Sequence, residues 1–148
     1  MKILVTGSNG QLAGKIRELS GTTNELKFIF ASKDKLDITN TSELHRFFTG
    51  EKIDILINCA AYTNVDGAES TYQQANKVNN FAVKEISRLS ETYNFIFVHI
   101  STDYVFDGSK GRPYKEKDKT NPLGAYGKSK LDGEVSIMEN NCRSIIIR

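Results

Sequence analysis

Tryptophan is absent from the 148 residues, and proline and cysteine occur only twice each. The two cysteines, Cys59 and Cys142, have no CxxC spacing. That excludes a disulfide scaffold; they read as small buried thiols in a reducing compartment, and a cytoplasmic location is expected. No apolar run approaches the ~20 residues needed to span a bilayer. The opening MKILVTG has too short an apolar stretch for a secretion signal. An excess of one charge is also lacking: 20 Lys+Arg stand against 18 Asp+Glu, a net charge of +2. A dedicated nucleic-acid binder and a polybasic membrane anchor are thereby disfavoured, so neither nucleic acid nor membrane is expected as a partner. Repeats and low-complexity tracts are missing as well. What is present is ordinary for one globular domain, with 39% hydrophobic and 26% charged residues.

Apolar residues alternate between short continuous runs and helix-period segments. Lys2–Thr6, Leu26–Ala31, Ile53–Cys59, Phe95–Ser101 and Ser144–Arg148 are β-branched runs bordered by Gly, Asn or Asp, and predict five strands. Between them, four segments predict helices. The first carries Leu12, Ile16 and Leu19 on one face; the second, begun near Thr39 or Thr41, carries Leu44, Phe47 and Phe48. The third presents Ala75, Val78, Ala82, Ile86 and Leu89, and the fourth, over Leu123–Met138, presents Leu131, Val135 and Met138. Strands alternating with helices imply right-handed βαβ units and an α/β fold: a doubly wound parallel sheet in three αβα layers. Buried faces on both sides explain why the strands read as continuous apolar runs. Asp107–Pro122 is predicted to be a long surface loop.

Four stretches could carry chemistry. Gly7-Ser-Asn-Gly10-Gln-Leu-Ala13-Gly14 follows the first strand and opens the first helix. A tight turn at Gly7 and close backbone approach at Gly10 would present free helix N–H groups to a pyrophosphate, as in a Rossmann-like dinucleotide site. The second strand ends in Ala31-Ser32-Lys33, with no carboxylate until Asp34. That permits the 2′-phosphate of NADPH, although Lys33 reads equally well as a solvated loop lysine. Asn58-Cys-Ala-Ala61-Tyr62 ends the third strand with small residues, where ligands of open α/β sheets bind. Ser101-Thr102-Asp103-Tyr104 ends the fourth strand, and Tyr126 and Lys130 lie four apart on the next helix. An ammonium beside a phenol favours the phenolate, so Lys130 is expected to draw the Tyr126 proton affinity toward working pH. His45 and His99 have no ligand partner at helical spacing and read as structural; no metal site is expected. Cys59 likewise reads as a packing residue.

The runs GSNGQL at 7–12, NCAAYTNVDGAE at 58–69, STDYVFDG at 101–108 and PLGAYGKSKLDGE at 122–134 together resemble the dTDP-4-dehydrorhamnose reductase family of extended short-chain dehydrogenases/reductases. The resemblance implies that residues 1–148 are an NAD(P)-binding Rossmann domain. It implies that Gly10, Gln11 and Leu12 hold the pyrophosphate and that Asp37 and Ile38 flank the adenine. Ala60, Ala61 and Tyr62 would line the middle of the cofactor. Thr102, Tyr126 and Lys130 would be catalytic, Thr102 and Asp103 would touch the sugar, and Lys130 would also bind the nicotinamide ribose. Asn79, with Asn76 and Asn80 as neighbours, would support the lysine through water. The implied reaction is NADPH- or NADH-dependent reduction of the 4-keto group of dTDP-4-dehydro-L-rhamnose.

The family continues beyond Arg148 into a substrate-binding region. The chain is therefore expected to be the cofactor-binding part of a longer reductase, with little activity alone and a fifth-strand edge that invites homodimer pairing. A regulatory dinucleotide-binding protein similar to the methionine adenosyltransferase beta subunit keeps comparable motifs. It stands as the alternative, together with a reductase or epimerase of a different nucleotide sugar.

Overall fold

The structure, a computed structural model, describes residues 1–22 and 25–148. Five parallel strands, β1 (Lys2–Thr6), β2 (Lys27–Ala31), β3 (Ile55–Asn58), β4 (Ile96–Ile100) and β5 (Ser144–Ile147), lie in the order β2-β1-β3-β4-β5. The order reverses between β1 and β3, which opens a crevice beyond their carboxyl ends. All five predicted strands are present, and the arrangement is the expected Rossmann-like α/β fold.

One sheet face presents Leu4, Leu56 and Phe97, all fully buried, to α2 (Thr41–Gly50), α5 (Ala82–Tyr93) and α6 (Ala125–Met138). Each such side chain stabilises by about 1.5–3 kcal/mol, and Phe48 stacks on Phe95 at a centroid distance of 4.8 Å. The other face packs Ile3 and Val5 against Ala13 and Ile16 of α1 (Gln11–Ser20). Its Ile55 and Ile57 are only partly buried, so the two outer layers are unequal. Asn40 begins α2: its side chain accepts from the Glu43 amide and donates to the Glu43 carboxylate, a reciprocal cap that satisfies orphan N-terminal groups.

Several packing expectations are corrected. Leu12 and Leu19 are exposed, and α1 buries Ala13 instead. On α6, Val135 and Met138 are exposed, while the inward face is Gly127, Ser129, Lys130, Gly133, Glu134, Ser136 and Ile137. The apolar stripe misleads there because the buried face of α6 is built for close approach and polar contact. The third predicted helix is three pieces: α4 (Tyr72–Asn76), a π-helical turn (Lys77–Phe81) and α5, preceded by the short α3 (Val65–Ser70). Cys59 and Cys142 are partly exposed free thiols rather than fully buried ones; burial still pushes the Cys59 thiol up to about 11.

The 107–122 segment is an ordered loop. Asp107 accepts hydrogen bonds from the Ser109 amide and hydroxyl, the Tyr114 hydroxyl and the Asn121 amide group. Lys110 pairs with Asp118, and Phe106 stacks on Tyr114 at 4.3 Å. Among the described residues no helix is long and apolar enough to cross a membrane.

Candidate active site

The β1–α1 turn is shaped by contact with the end of β3. Gly7 has φ +67°, and a Cβ there would lie 2.5 Å from the Ala60 nitrogen. Only glycine meets both demands. Gly10 caps α1 with no side chain of its own, which leaves the first-turn N–H groups free for an anion.

Above this turn lies a cleft of about 440 Å³. Gly7 and Gly10 form its floor, Asp37 and Ile38 one wall, and Ala60, Ala61 and Tyr62 the other. Seven predicted cofactor residues thus share one cavity. Gln11, Leu12, Tyr126 and Lys130, also expected at the cofactor, do not line it; Gln11 and Leu12 sit exposed on the first turn of α1. Asn9, Ser32, Leu36, Cys59, Thr63 and Val78 also line it; of these only Leu36 and Val78 lie outside the stretches singled out in the sequence. Lys33 also lines it, next to Ser32. Burial pushes the Asp37 carboxyl upward, but the Thr39 amide and hydroxyl, at 2.9 and 2.8 Å, with Lys33 and Lys77 nearby, leave it below its usual value. An open glycine turn, free helix N–H groups and small residues on the facing strand end fit a dinucleotide.

Thr102, Tyr126 and Lys130 converge at the end of β4. Thr102 stands close enough to Tyr126 to draw its phenol downward and accepts from the Tyr104 amide at 3.2 Å. Tyr104 meets Tyr126 edge to face at 5.6 Å. Asp103 neighbours both, accepting from the Thr102 hydroxyl at 3.2 Å. Lys130 is 1% exposed, and its Nζ donates to the Ile100 carbonyl at 2.7 Å and lies 3.2 Å from His99 Nε2. Burial lowers the amine to about 8, against the upward pull of the Glu134 carboxylate.

One expectation is corrected here and one is extended. Tyr126 is raised, not lowered: its burial outweighs the lowering influence of Thr102, and the Lys130 amine is turned toward β4. His99, read as structural, is buried in contact with Asn58 and Lys130.

Of the three asparagines, Asn79 is the buried one, at 1% exposure, and it sits in the π-helical turn. Its amide accepts from the Tyr62 N–H at 2.9 Å and donates to the Tyr62 carbonyl and to Ser129 Oγ. Asn79 therefore clamps the cleft wall to α6 beside Lys130 rather than touching the lysine. The clamp needs a short helix separation: a Cβ on Gly133 would fall 2.1 Å from the Asn79 carbonyl oxygen. Among the described residues no group of three or more His, Cys, Asp or Glu could hold a metal ion.

The profile of the family described as "RmlD substrate binding domain" matches residues 1–148. The chain belongs to that family. Among curated relatives of this RmlD-family chain, the dTDP-4-dehydrorhamnose reductase of Burkholderia thailandensis is 42% identical over 139 residues, covering 94% of this chain and 46% of the relative. Among solved structures, the dTDP-4-dehydrorhamnose reductase of Clostridium acetobutylicum superposes with a TM-score of 0.94 at 41% identity, over 99% of this chain and 52% of that one. The Bacillus anthracis dTDP-4-dehydrorhamnose reductase, solved in complex with NADP, gives a TM-score of 0.92 at 34% identity, over 98% and 51%. The RmlD-family chain thus spans about half the length of the relatives it matches.

Proposed function

We propose that these residues form the NAD(P)-binding and catalytic portion of an oxidoreductase that reduces the 4-keto group of dTDP-4-dehydro-L-rhamnose to dTDP-L-rhamnose. The observation that carries the reading is the meeting of Thr102, Tyr126 and Lys130 at the end of β4, on the carboxyl edge that also holds the glycine-turn cleft. NADPH or NADH supplies the hydride. Gly7, Gly10 and the α1 amides hold its pyrophosphate, assisted by Gln11 and Leu12. Asp37 and Ile38 flank the adenine, and Ala60, Ala61 and Tyr62 line its middle. Lys33, in the lining next to Ser32, favours NADPH.

Tyr126 keeps its proton at neutral pH, since a phenol's ordinary value of 10 lies well above it and burial raises it further; that is the form able to protonate the oxygen of a carbonyl receiving hydride. Thr102 shares that oxygen, Asp103 meets the sugar, and Lys130 binds the nicotinamide ribose. The reaction belongs in the cytoplasm, where both thiols stay reduced. A homodimer belongs to the same reading, and sedimentation of the purified whole protein would read it.

Relatives that are reductases support catalysis over the regulatory alternative. The test is turnover of the dTDP-sugar by the whole protein with NADPH and NADH. Dinucleotide binding, measured by calorimetry, with no turnover would overturn the reductase reading in favour of a regulatory protein. Turnover lost on Tyr126→Phe supports it.

A further inference from the structure

Glu134 is a buried charge that the proposed chemistry leaves unused. It is fully buried on α6, one turn beyond Lys130 and two beyond Tyr126, and that spacing puts all three on one helix face. The face meets three consecutive residues at the end of β4. Lys130 Nζ donates to the Ile100 carbonyl at 2.7 Å, the Ser101 hydroxyl donates to Glu134 Oε1, and Thr102 stands beside Tyr126. Thus α6 grips residues 100 and 101 immediately before the threonine that must meet the tyrosine.

The other partner of the carboxylate is Arg148. Its Nε lies 3.1 Å from both Glu134 oxygens and its Nη2 2.6 Å from Oε2. The Ser101 amide donates to the Ile147 carbonyl at 2.6 Å, so the ends of β4 and β5 reach Glu134 together. Arg148 Nη1 donates to the Glu116 carbonyl at 3.0 Å, and the guanidinium lies 5.3 Å from the centre of the Phe106 ring. One carboxylate therefore gathers α6, both strand ends and the segment that follows Thr102. Such a pair adds little net stability over apolar packing, because removing both charges from water offsets their attraction. What it supplies is direction, since two charged oxygens accept best from donors in fixed places. The same carboxylate also favours the Lys130 ammonium against its burial.

We infer that Glu134 is a positioning residue for Thr102: by accepting the Ser101 hydroxyl and orienting Arg148, its buried carboxylate fixes the end of β4 against α6 and so sets the approach of Thr102 to Tyr126. The grip at Ser101 is one covalent step from Thr102, which leaves the threonine little freedom to drift from the phenol. A small displacement of one reacting group can cost a large factor in rate. The effect on turnover rests on the reductase reading, whereas the placement of Thr102 does not.

The test compares the whole protein with Ser101→Ala, Ser101→Thr and Glu134→Leu. Ser101→Ala deletes one hydroxyl and leaves every charge in place. The NMR cross-relaxation between Thr102 and the Tyr126 ring is expected to weaken at least twofold in it, and kcat with NADPH and the dTDP-sugar to fall at least tenfold. NADPH affinity, read by calorimetry, should stay within twofold. Ser101→Thr keeps the hydroxyl and should restore both the cross-relaxation and kcat. Glu134→Leu should weaken the cross-relaxation at least as much; if it does not fold, the two Ser101 variants decide alone. A merely structural role would lower the urea midpoint of Ser101→Ala and leave cross-relaxation and kcat unchanged, which overturns the inference. So does weakened cross-relaxation with unchanged kcat, or equal losses in Ser101→Ala and Ser101→Thr. Absence of turnover in the unaltered protein sinks the reductase reading instead, and the cross-relaxation, which needs neither cofactor nor sugar, still decides the placement of Thr102.

Discussion

Gly7 and Ala60 meet backbone to backbone across the β1 and β3 ends, so closely that a Cβ on Gly7 would fall 2.5 Å from the Ala60 nitrogen. This contact sets the floor of the dinucleotide cleft against its far wall. Gly7→Ala would strain a φ of +67° and push β3 away at once. A loss of at least about 2 kcal/mol is expected in urea denaturation, together with loss of NADPH binding. Gly14→Ala is the contrast, because nothing lies within 4 Å of its Cβ position inside α1. It should stabilise by about 0.5–1 kcal/mol and leave binding unchanged.

Gly133→Ala should separate α6 from the π-helical turn. The new methyl would lie 2.1 Å from the Asn79 carbonyl oxygen, which is rigid backbone. A destabilisation of about 1–3 kcal/mol is expected. Amide exchange should also quicken at Tyr62, whose N–H is held by the Asn79 side chain. Unchanged protection at Tyr62 would show that the clamp does not depend on this packing.

Lys130 gives stability a pH signature whose sign is fixed. Its folded-state affinity, lowered to about 8 from an ordinary 10.5, means that the unfolded chain binds this proton more tightly. The cost of burying the charge is present below pH 8 and fades as pH rises from about 8 to 10.5. Relative to Lys130→Met, the unaltered protein should therefore gain about 2 kcal/mol between pH 7 and 9.5, read from paired urea midpoints. A constant difference across that range would contradict the burial effect.

Asp107→Asn should loosen the 107–122 loop. Its carboxylate holds Ser109, Tyr114 and Asn121 at once, and those bonds, the Asn121 one foremost, keep the carboxyl well below its usual range. Faster hydrogen exchange and proteolysis confined to this loop are expected, with the global transition little moved. Because the folded-state value is depressed, the ordering contributed by Asp107 is present at neutral pH and lost only in strong acid.

Much of the architecture is local and was legible in the chain itself. Continuous β-branched runs gave parallel strands because β1 to β4 each bury both faces to some extent. Gly7 and Gly10 marked the cleft because a turn with positive φ before a helix start demands those residues at that spacing. Tyr126 and Lys130 share a face because a helix has 3.6 residues per turn. Tertiary structure decided the rest. The inward face of α6 defied its apolar pattern, since Gly133 and Lys130 answer to the Asn79 carbonyl and to β4, partners dozens of residues away. The choice of Asn79 over Asn76 and Asn80 depended on a π-helical turn that no period in the sequence encodes. Strand register, rather than any local pattern, set Asn58 beside His99. Which way the Lys130 amine turns followed from the Ile100 carbonyl and His99, which only the assembled sheet brings beside it.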